Sequence, residues 1–419
     1  MHRKPALIFI FFTLLLDVLG FGLLIPVAPK LVQSMLHAGA GGTDAEASPY
    51  VGALQSTYYA MAFLCSPLLG ALSDRFGRRP VILISLFGSG LDFFAQALAP
   101  SLAWFFVTRA INGMTGASFT VASAYVADAT PPEKRAAGFG LIGAAFGIGF
   151  VIGPALGGVL GQVSLRLPFY VAGGLTVVNW CYGLFVLPES LPRKQHHALS
   201  LARANPVGAL LHINRYPLVL GLAATSFLFN LAQFALHAVW VLYTGHRYGW
   251  NTRQAGISLM IVGIGASAVQ GGLARRLIPR LGEPRALLIS LVLGAGAYLG
   301  YGLATEGWMI YAIVCVASLG GLAGPALQSM VTKTVHADEQ GQTQGALASL
   351  QSLAGVIGPL IGSSAFAYFI SDRAPRAIPG APFFAGTLLS LAGLFWAWRT
   401  LRLHAPDATP PKSPGTSPA

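Results

Sequence analysis

Apolar residues arrive along this chain in blocks of about 18 to 26, separated by short polar punctuation. A helix rises 1.5 Å per residue, so about 20 apolar residues cover the roughly 30 Å hydrocarbon core of a bilayer. Twelve blocks fit that length: Leu7–Val27, Val51–Leu72, Val81–Leu98, Leu102–Val126, Ala137–Gly161, Pro168–Leu187, Leu218–Tyr243, Ala255–Ala274, Ala286–Leu303, Trp308–Val331, Gly345–Ile370 and Pro382–Trp398. The pattern predicts an all-α integral membrane protein with twelve transmembrane helices.

Shifting the sequence by 205 positions lays one half on the other without a gap over a long stretch. Gly77 meets Gly282, Ile84-Ser85-Leu86 meets Ile289-Ser290-Leu291, and Val151-Ile152-Gly153-Pro154 meets Val356-Ile357-Gly358-Pro359. The repeat predicts two six-helix bundles, residues 1–192 and 217–403, joined by a polar linker at 193–216 and followed by a Pro, Ser and Thr-rich tail at 404–419. Parallel repeats of this kind leave one cavity between them and rock to open it to alternate sides.

Composition agrees: hydrophobic residues are 54% of the chain and charged residues 10%, too few to build a water-facing surface. Net charge +12 would suggest nucleic acid in a soluble protein, but the basic residues sort by loop parity. Nineteen Lys and Arg fall on one side, among them Arg75, Arg78, Arg79, Arg275 and Arg276. Six fall on the other (Lys30, Arg166, Arg247, Arg253, Arg373 and Arg376), and Arg109 lies within a helix. Positive charge stays inside, so both termini are expected in the cytoplasm. No cleaved signal peptide is expected, because the first block carries Asp17 and runs on past Val27. Cys65, Cys181 and Cys315 are scattered singly, without ligand spacing. No metal, cofactor or nucleic-acid partner is expected. The expected partners are a small-molecule substrate, protons and the lipid bilayer, with the protein acting as a monomer.

An ionisable group inside a span costs about 2.5 to 3.5 kcal/mol on insertion scales, so it usually faces a cavity or a partner. Three fall in the first half: Asp17, Asp92 and Arg109. Asp17 and Arg109 lie near mid-depth with opposite sign, which suits a proton-coupling pair in which Asp17 carries the proton. The alternative is a static ion pair that fixes helix packing. His237 is a second candidate titrating group or a packed core histidine. Asn230 and Gln233 can bond a substrate or join helices. By depth alone, Gln55, Tyr58, Tyr59, Asn112, Trp240, Gln328 and Gln351 complete the candidate cavity set.

The run GALSDRFGRRP, Gly70 to Pro80, is a charged loop between two spans. Gly70 and Gly77 allow a tight turn. Asp74 can cap the start of a helix or accept bonds from arginines of the other bundle, which with Arg75, Arg78 and Arg79 would latch the cytoplasmic side. The related loop Gly272 to Arg285 is basic but lacks the Asp, so the gate is expected to be asymmetric. In the fifth span, Gly149, Gly153, Pro154, Gly157 and Gly158 cut a groove for another helix.

These motifs together resemble the drug:proton antiporters of the major facilitator superfamily, and most of all its twelve-helix tetracycline exporters. The resemblance rests on Leu16 to Lys30, Gly70 to Pro80, Gly90 to Asp92, Arg109 with Gly113, Gly147 to Gly158 and Val239 to Asn251. It implies a proton-coupled antiporter that exports a small amphipathic, drug- or tetracycline-like compound across the bacterial inner membrane. The alternative on the same fold is an importer or a lipid or metabolite carrier. Tetracycline exporters carry a His in the eighth helix and an Asp in the ninth; Ile257–Leu273 and Leu287–Ala304 contain neither. A membrane enzyme finds no clustered His or Cys ligands in this sequence, and a sensor that binds without transport is the remaining class.

Overall fold

The computed structural model describes residues 7–115, 118–130, 135–190, 215–336 and 339–403, and its elements there are all helical. The proposed tail and all of the proposed linker except Arg215 and Tyr216 lie outside the described residues. The first half contains α1 (Leu7–Leu24), α2 (Ala28–Met35), α3 (Asp44–Phe76), α4 (Arg78–Ala97), α5 (Leu102–Thr115), α6 (Ser118–Ala129), α7 (Arg135–Val163) and α8 (Leu167–Val186). The second contains α9 (Pro217–Tyr248), α10 (Thr252–Ala268), α11 (Ala274–Leu281), α12 (Glu283–Leu303), α13 (Gly307–Ala317), α14 (Ala323–Thr334), α15 (Gln340–Ile370) and α16 (Ala381–Leu403). A π segment, Val269–Leu273, joins α10 to α11, and a 3-10 segment, Ser318–Leu322, joins α13 to α14.

Among the described residues, nine helical stretches are long and apolar enough to cross a membrane, ten if α1 and α2 count as one span. The first apolar block runs straight through Val27 in the sequence. The chain instead bends by 44° between α1 and α2, where Pro26 and Pro29 interrupt the backbone bonding. The second span is longer than its apolar block. It starts at Thr43, whose side chain accepts a bond from the Glu46 amide while the Glu46 carboxylate accepts one from the Thr43 amide.

Large apolar side chains cover the outside: Ile84, Val163, Phe185 and Leu388 are all exposed, as are Cys181 and Cys315. Such a surface needs lipid, not water, against it. Within the first half α1 packs on α7 and α8, and α4 on α8; within the second α9 packs on α15 and α16, and α12 on α16. Two antiparallel pairs cross between the halves, α3 with α15 and α7 with α10.

The two crossing pairs touch at one end and part at the other. Ser48 donates to the Ser363 carbonyl at 2.9 Å, Ser56 to the Val356 carbonyl at 2.6 Å, and Thr252 to the Gly158 carbonyl at 3.0 Å. A side chain added at Gly52 would strike Ser363, and one at Gly158 would strike the Thr252 carbonyl. The largest apolar cluster seals this end with residues from both halves, including Val27, Leu54, Phe169, Tyr243, Trp250 and Phe366. Toward the other end, positions Gly70 on α3, Gly345 on α15, Gly140 and Gly143 on α7, and Gly271 and Gly272 have no neighbour within 4 Å where a side chain would start. A gap therefore opens toward the end that holds the Gly70 to Pro80 loop.

Candidate functional site

The gap narrows to an aromatic bridge between the halves. Tyr58 and Tyr59 sit on consecutive positions of α3 with ring centroids 5.1 Å apart, and Tyr59 meets Phe234 of α9 at 4.7 Å. Tyr59 fits only because Gly355 faces it: a Cβ there would fall 2.6 Å from the ring.

The ionisable residues gather behind Tyr58. The Arg109 guanidinium lies over the Tyr58 ring at 5.3 Å, and the fields of both Arg109 and Asp17 act at the Tyr58 hydroxyl. Helix α5 reaches this depth because Gly113 lets it approach the Tyr58 carbonyl, where a Cβ would stand at 2.4 Å. Asp92 is 4% exposed and accepts bonds from Asn112, at 2.8 Å, and from Gln96, while its second oxygen is buried without a hydrogen-bond partner. Arg109 also acts on Asp92 through its charge. The three charged candidates thus converge on one region of the first half.

Some candidates move. Asn112, expected at a substrate cavity, spends its amide donor on Asp92. Trp240 is 2% exposed and packs edge-on against Tyr301 and Phe383 with its indole nitrogen donating to Ser258, so it belongs to the second half's core. Depth along a helix does not tell which way a side chain points, so these contacts add to what the sequence says of both. Gln55 is half-buried on α3.

In the second half, Tyr298 of α12 donates to the Gln233 carbonyl oxygen at 3.1 Å, and the Gln233 amide meets His237 Nε2 at 3.1 Å. Tyr298 completes this chain and was not singled out from the sequence, since tyrosines are frequent in apolar helices. Asn230, Gln328 and Gln351 come together as the wall of a cavity of about 310 Å³ between α9, α12, α14 and α15, with Gln344 beside them.

The loop charges are satisfied inside the first half. Asp74 pairs with Arg78 at 2.6 Å, Arg78 Nε reaches Asp128 at 2.9 Å, and the Glu189 carboxylate accepts from the backbone amides of Arg78 and Arg79. In this open arrangement Asp74 meets Arg78 of its own half, rather than an arginine of the other bundle. Arg75 stacks on Phe76, and Arg79 donates to the Leu184 carbonyl. Gly77 has φ 101°, which only glycine adopts readily, and its repeat mate Gly282 has φ 78°. Across the repeat, Arg78–Asp128 becomes Glu283–Lys333: the same two positions, bonded to each other, with the charges exchanged. The 205-residue offset contains this pair, but a search for a second Asp74 passes over it. The asymmetry expected of the second loop is therefore one of polarity as well as composition.

The fifth-span groove is filled on two sides. A side chain at Gly149, Gly153 or Gly157 would strike Leu15 and Val18, Leu19 and Gly22, or Leu23 of α1, while Gly158 and Pro154 face Thr252 and Gly256 of α10.

A family model described as Major Facilitator Superfamily matches residues 10–359. The chain belongs to that superfamily. It is 39% identical to the tetracycline resistance protein, class C, of Escherichia coli over 88% of this chain and 91% of that one. It is 35% identical to the class D protein of Salmonella ordonez, covering 92% and 94%. Among solved structures, the human organic anion transporter MFSD10 aligns over 95% of this chain and all of its own length, with TM-score 0.72 and 27% identity. The protein is thus a multi-pass membrane transporter of this superfamily.

Proposed function

We propose that this transporter is a proton-coupled antiporter that exports a small amphipathic, drug- or tetracycline-like compound from the cytoplasm by alternating access. Twelve spans in two six-helix bundles, 1–192 and 217–403, would carry it in the bacterial inner membrane, with both termini and the Gly70 to Pro80 loop on the cytoplasmic side. The open gap then faces the cytoplasm, where an exporter collects its cargo.

The observation that carries the reading is the convergence of Asp17 and Arg109 on Tyr58, next to the aromatic bridge between the halves, with the buried Asp92 within reach of the Arg109 charge. A carboxylate there can give up its proton toward the open side while Arg109 steadies the charge left behind. Gly158 and Gly52 let the halves close tightly at the outer end, and the glycine face of α7 serves as the bearing on which α1 and α10 ride. The names of the relatives support a drug as cargo.

The test is proton release from purified protein or inverted vesicles when tetracyclines or amphipathic drugs are added, wild type beside Asp17→Asn. Drug-triggered release that disappears in the variant is expected. Release that survives in Asp17→Asn would remove this mechanism, and uptake rather than extrusion by loaded vesicles would turn the assignment to an importer or lipid carrier.

A further inference from the structure

At the open end the two halves treat their arginines differently. In the first half each arginine of the Gly70 to Pro80 loop has a partner: Arg75 the Phe76 ring, Arg78 the carboxylates of Asp74 and Asp128, and Arg79 the Leu184 carbonyl. In the second half Arg275, Arg276, Arg280 and Arg285 are all exposed, and none forms an ion pair among the described residues. The described carboxylates beside them are already taken. Glu283 binds Lys333 and Ser329, and Glu339 binds Tyr216 and Arg215. Across the 205-residue offset Arg280 repeats Arg75, whereas Arg275, Arg276 and Arg285 stand where the first half has Gly70, Ala71 and Pro80. This unpaired charge belongs to one half only.

Depth and direction place it at the edge of the bilayer. The helical stretch Thr252–Leu281 is 30 residues long, about 45 Å at 1.5 Å per residue against a hydrocarbon core of about 30 Å, so part of it stands outside the core. Residues 252–274 carry only Arg253, at their start, and the charge then arrives in one helix, α11. Leu273, Leu277 and Ile278 turn inward onto Val269, Ala274 and Leu322, which leaves Arg275, Arg276 and Arg280 on the outward side. On α12, Leu287 and Leu291 line the interior cavity. Arg285 lies on the opposite face, one turn before Ile289 and two before Val292, both large apolar side chains left exposed and so turned to lipid.

We infer that this outward face of α11, with Arg285 at the start of α12, binds the phosphate groups of anionic phospholipids in the adjoining leaflet. The guanidinium offers paired N–H donors that match a phosphate and sheds its water more readily than an ammonium. Basic residues just outside a span are attracted to an anionic membrane surface. A lipid fits better than a soluble anion because Arg285 continues a face that is already covered by acyl chains. The inference needs only that the chain spans a bilayer, and stands or falls apart from the exporter reading.

The experiment titrates full-length protein in detergent with phosphatidylglycerol or phosphatidylcholine and counts bound lipid by native mass spectrometry. Phosphatidylglycerol is expected to bind more tightly. Its preference should fall about fivefold in Arg276→Gln, at about 1 kcal/mol per arginine near an anionic surface. It should fall at least about tenfold when Arg275→Gln, Arg276→Gln and Arg280→Gln are combined. The same three changed to Lys keep the charge and should retain most of the preference. All three side chains are exposed, so the changes are compatible with folding. Equal binding of the two lipids, or a preference untouched by the triple Gln variant, overturns the inference. So does an equal loss from Arg373→Gln with Arg376→Gln, exposed arginines of the opposite end, which would mean net charge alone. A loss in the Lys variant as large as in the Gln variant removes recognition by charge, and displacement of phosphatidylglycerol by millimolar inorganic phosphate would make the surface a soluble-anion site.

Discussion

Asp44 shows how a single residue ties the closed end together. It stands at the start of α3, outside the apolar block, with Lys30 at 3.6 Å and His246 Nδ1 of the other half at 3.3 Å. Burial pushes its carboxyl up, but the bond from His246 and the Lys30 charge outweigh that and hold its pKa below the ordinary 3.8. A carboxylate whose pKa is lowered by closure favours the closed end wherever it is ionised. Its contribution is complete above the ordinary value and fades as pH falls through the lowered one. As far as Asp44's own charge is concerned, closure is constant from pH 8 to about 4 and is lost in stronger acid. Asp44→Asn is expected to loosen the closed end at neutral pH and to make no difference in strong acid, read as a longer spin-label distance between the regions of residues 44 and 246 in nanodiscs; an unchanged distance at pH 7 would remove the latch. At the same scale, Arg109→Ala takes the cation from the Tyr58 face. Transport coupled to protons should fall at least about tenfold, one factor of roughly 1.4 kcal/mol, while the folded protein keeps its melting temperature within a few degrees.

Helix α7 is an element whose surface is set by what it must touch. A Cβ at Gly157 would stand 2.1 Å from the Leu23 carbonyl, whereas at Gly140 it meets nothing within 4 Å. Overpacking a tight contact costs about 1 to 3 kcal/mol. Gly157→Ala should therefore lower the melting temperature in detergent clearly, and Gly140→Ala should leave it where it is; equal effects would mean that the α1 contact is not as close as drawn. The charge-exchanged pairs Arg78–Asp128 and Glu283–Lys333 are elements of another kind. They are partly exposed, so either pair contributes at most about 1 kcal/mol to stability. Reversing the second pair with Glu283→Lys and Lys333→Glu should leave the fold intact by melting temperature, because both positions remain opposite in sign, while Lys333→Glu alone puts two carboxylates together and should reduce expression or thermal stability.

For the whole molecule, the antiparallel pairs α3–α15 and α7–α10 act as two closing edges. They are drawn together at one end by small residues and hydroxyl-to-carbonyl bonds, and are apart at the other. Enlarging Gly158 pushes α10 away without touching the interior of either half. Gly158→Leu is expected to open the end that is closed here, seen as faster labelling of a cysteine placed at Thr252 by a hydrophilic maleimide. Labelling at the wild-type rate would mean that the edge does not hold the end closed.

The alternation of apolar blocks and charged loops was enough to specify helices and a bilayer as solvent, because backbone groups in hydrocarbon must bond within their own segment. The 205-residue offset was enough to bring Gly77 and Gly282 to the same strained turn, since a positive φ leaves its mark as glycine. Asp17, Asp92 and Arg109 stood out for the energy their burial costs. What no linear pattern carried was the direction each side chain takes: that Asn112 serves Asp92, that Trp240 is core, that Tyr298 completes a chain through Gln233 to His237, and that four amides close around one cavity. Those facts depend on helix rotation and on which helices meet. Packing between distant segments sets both, and residues far apart in the chain record it only jointly.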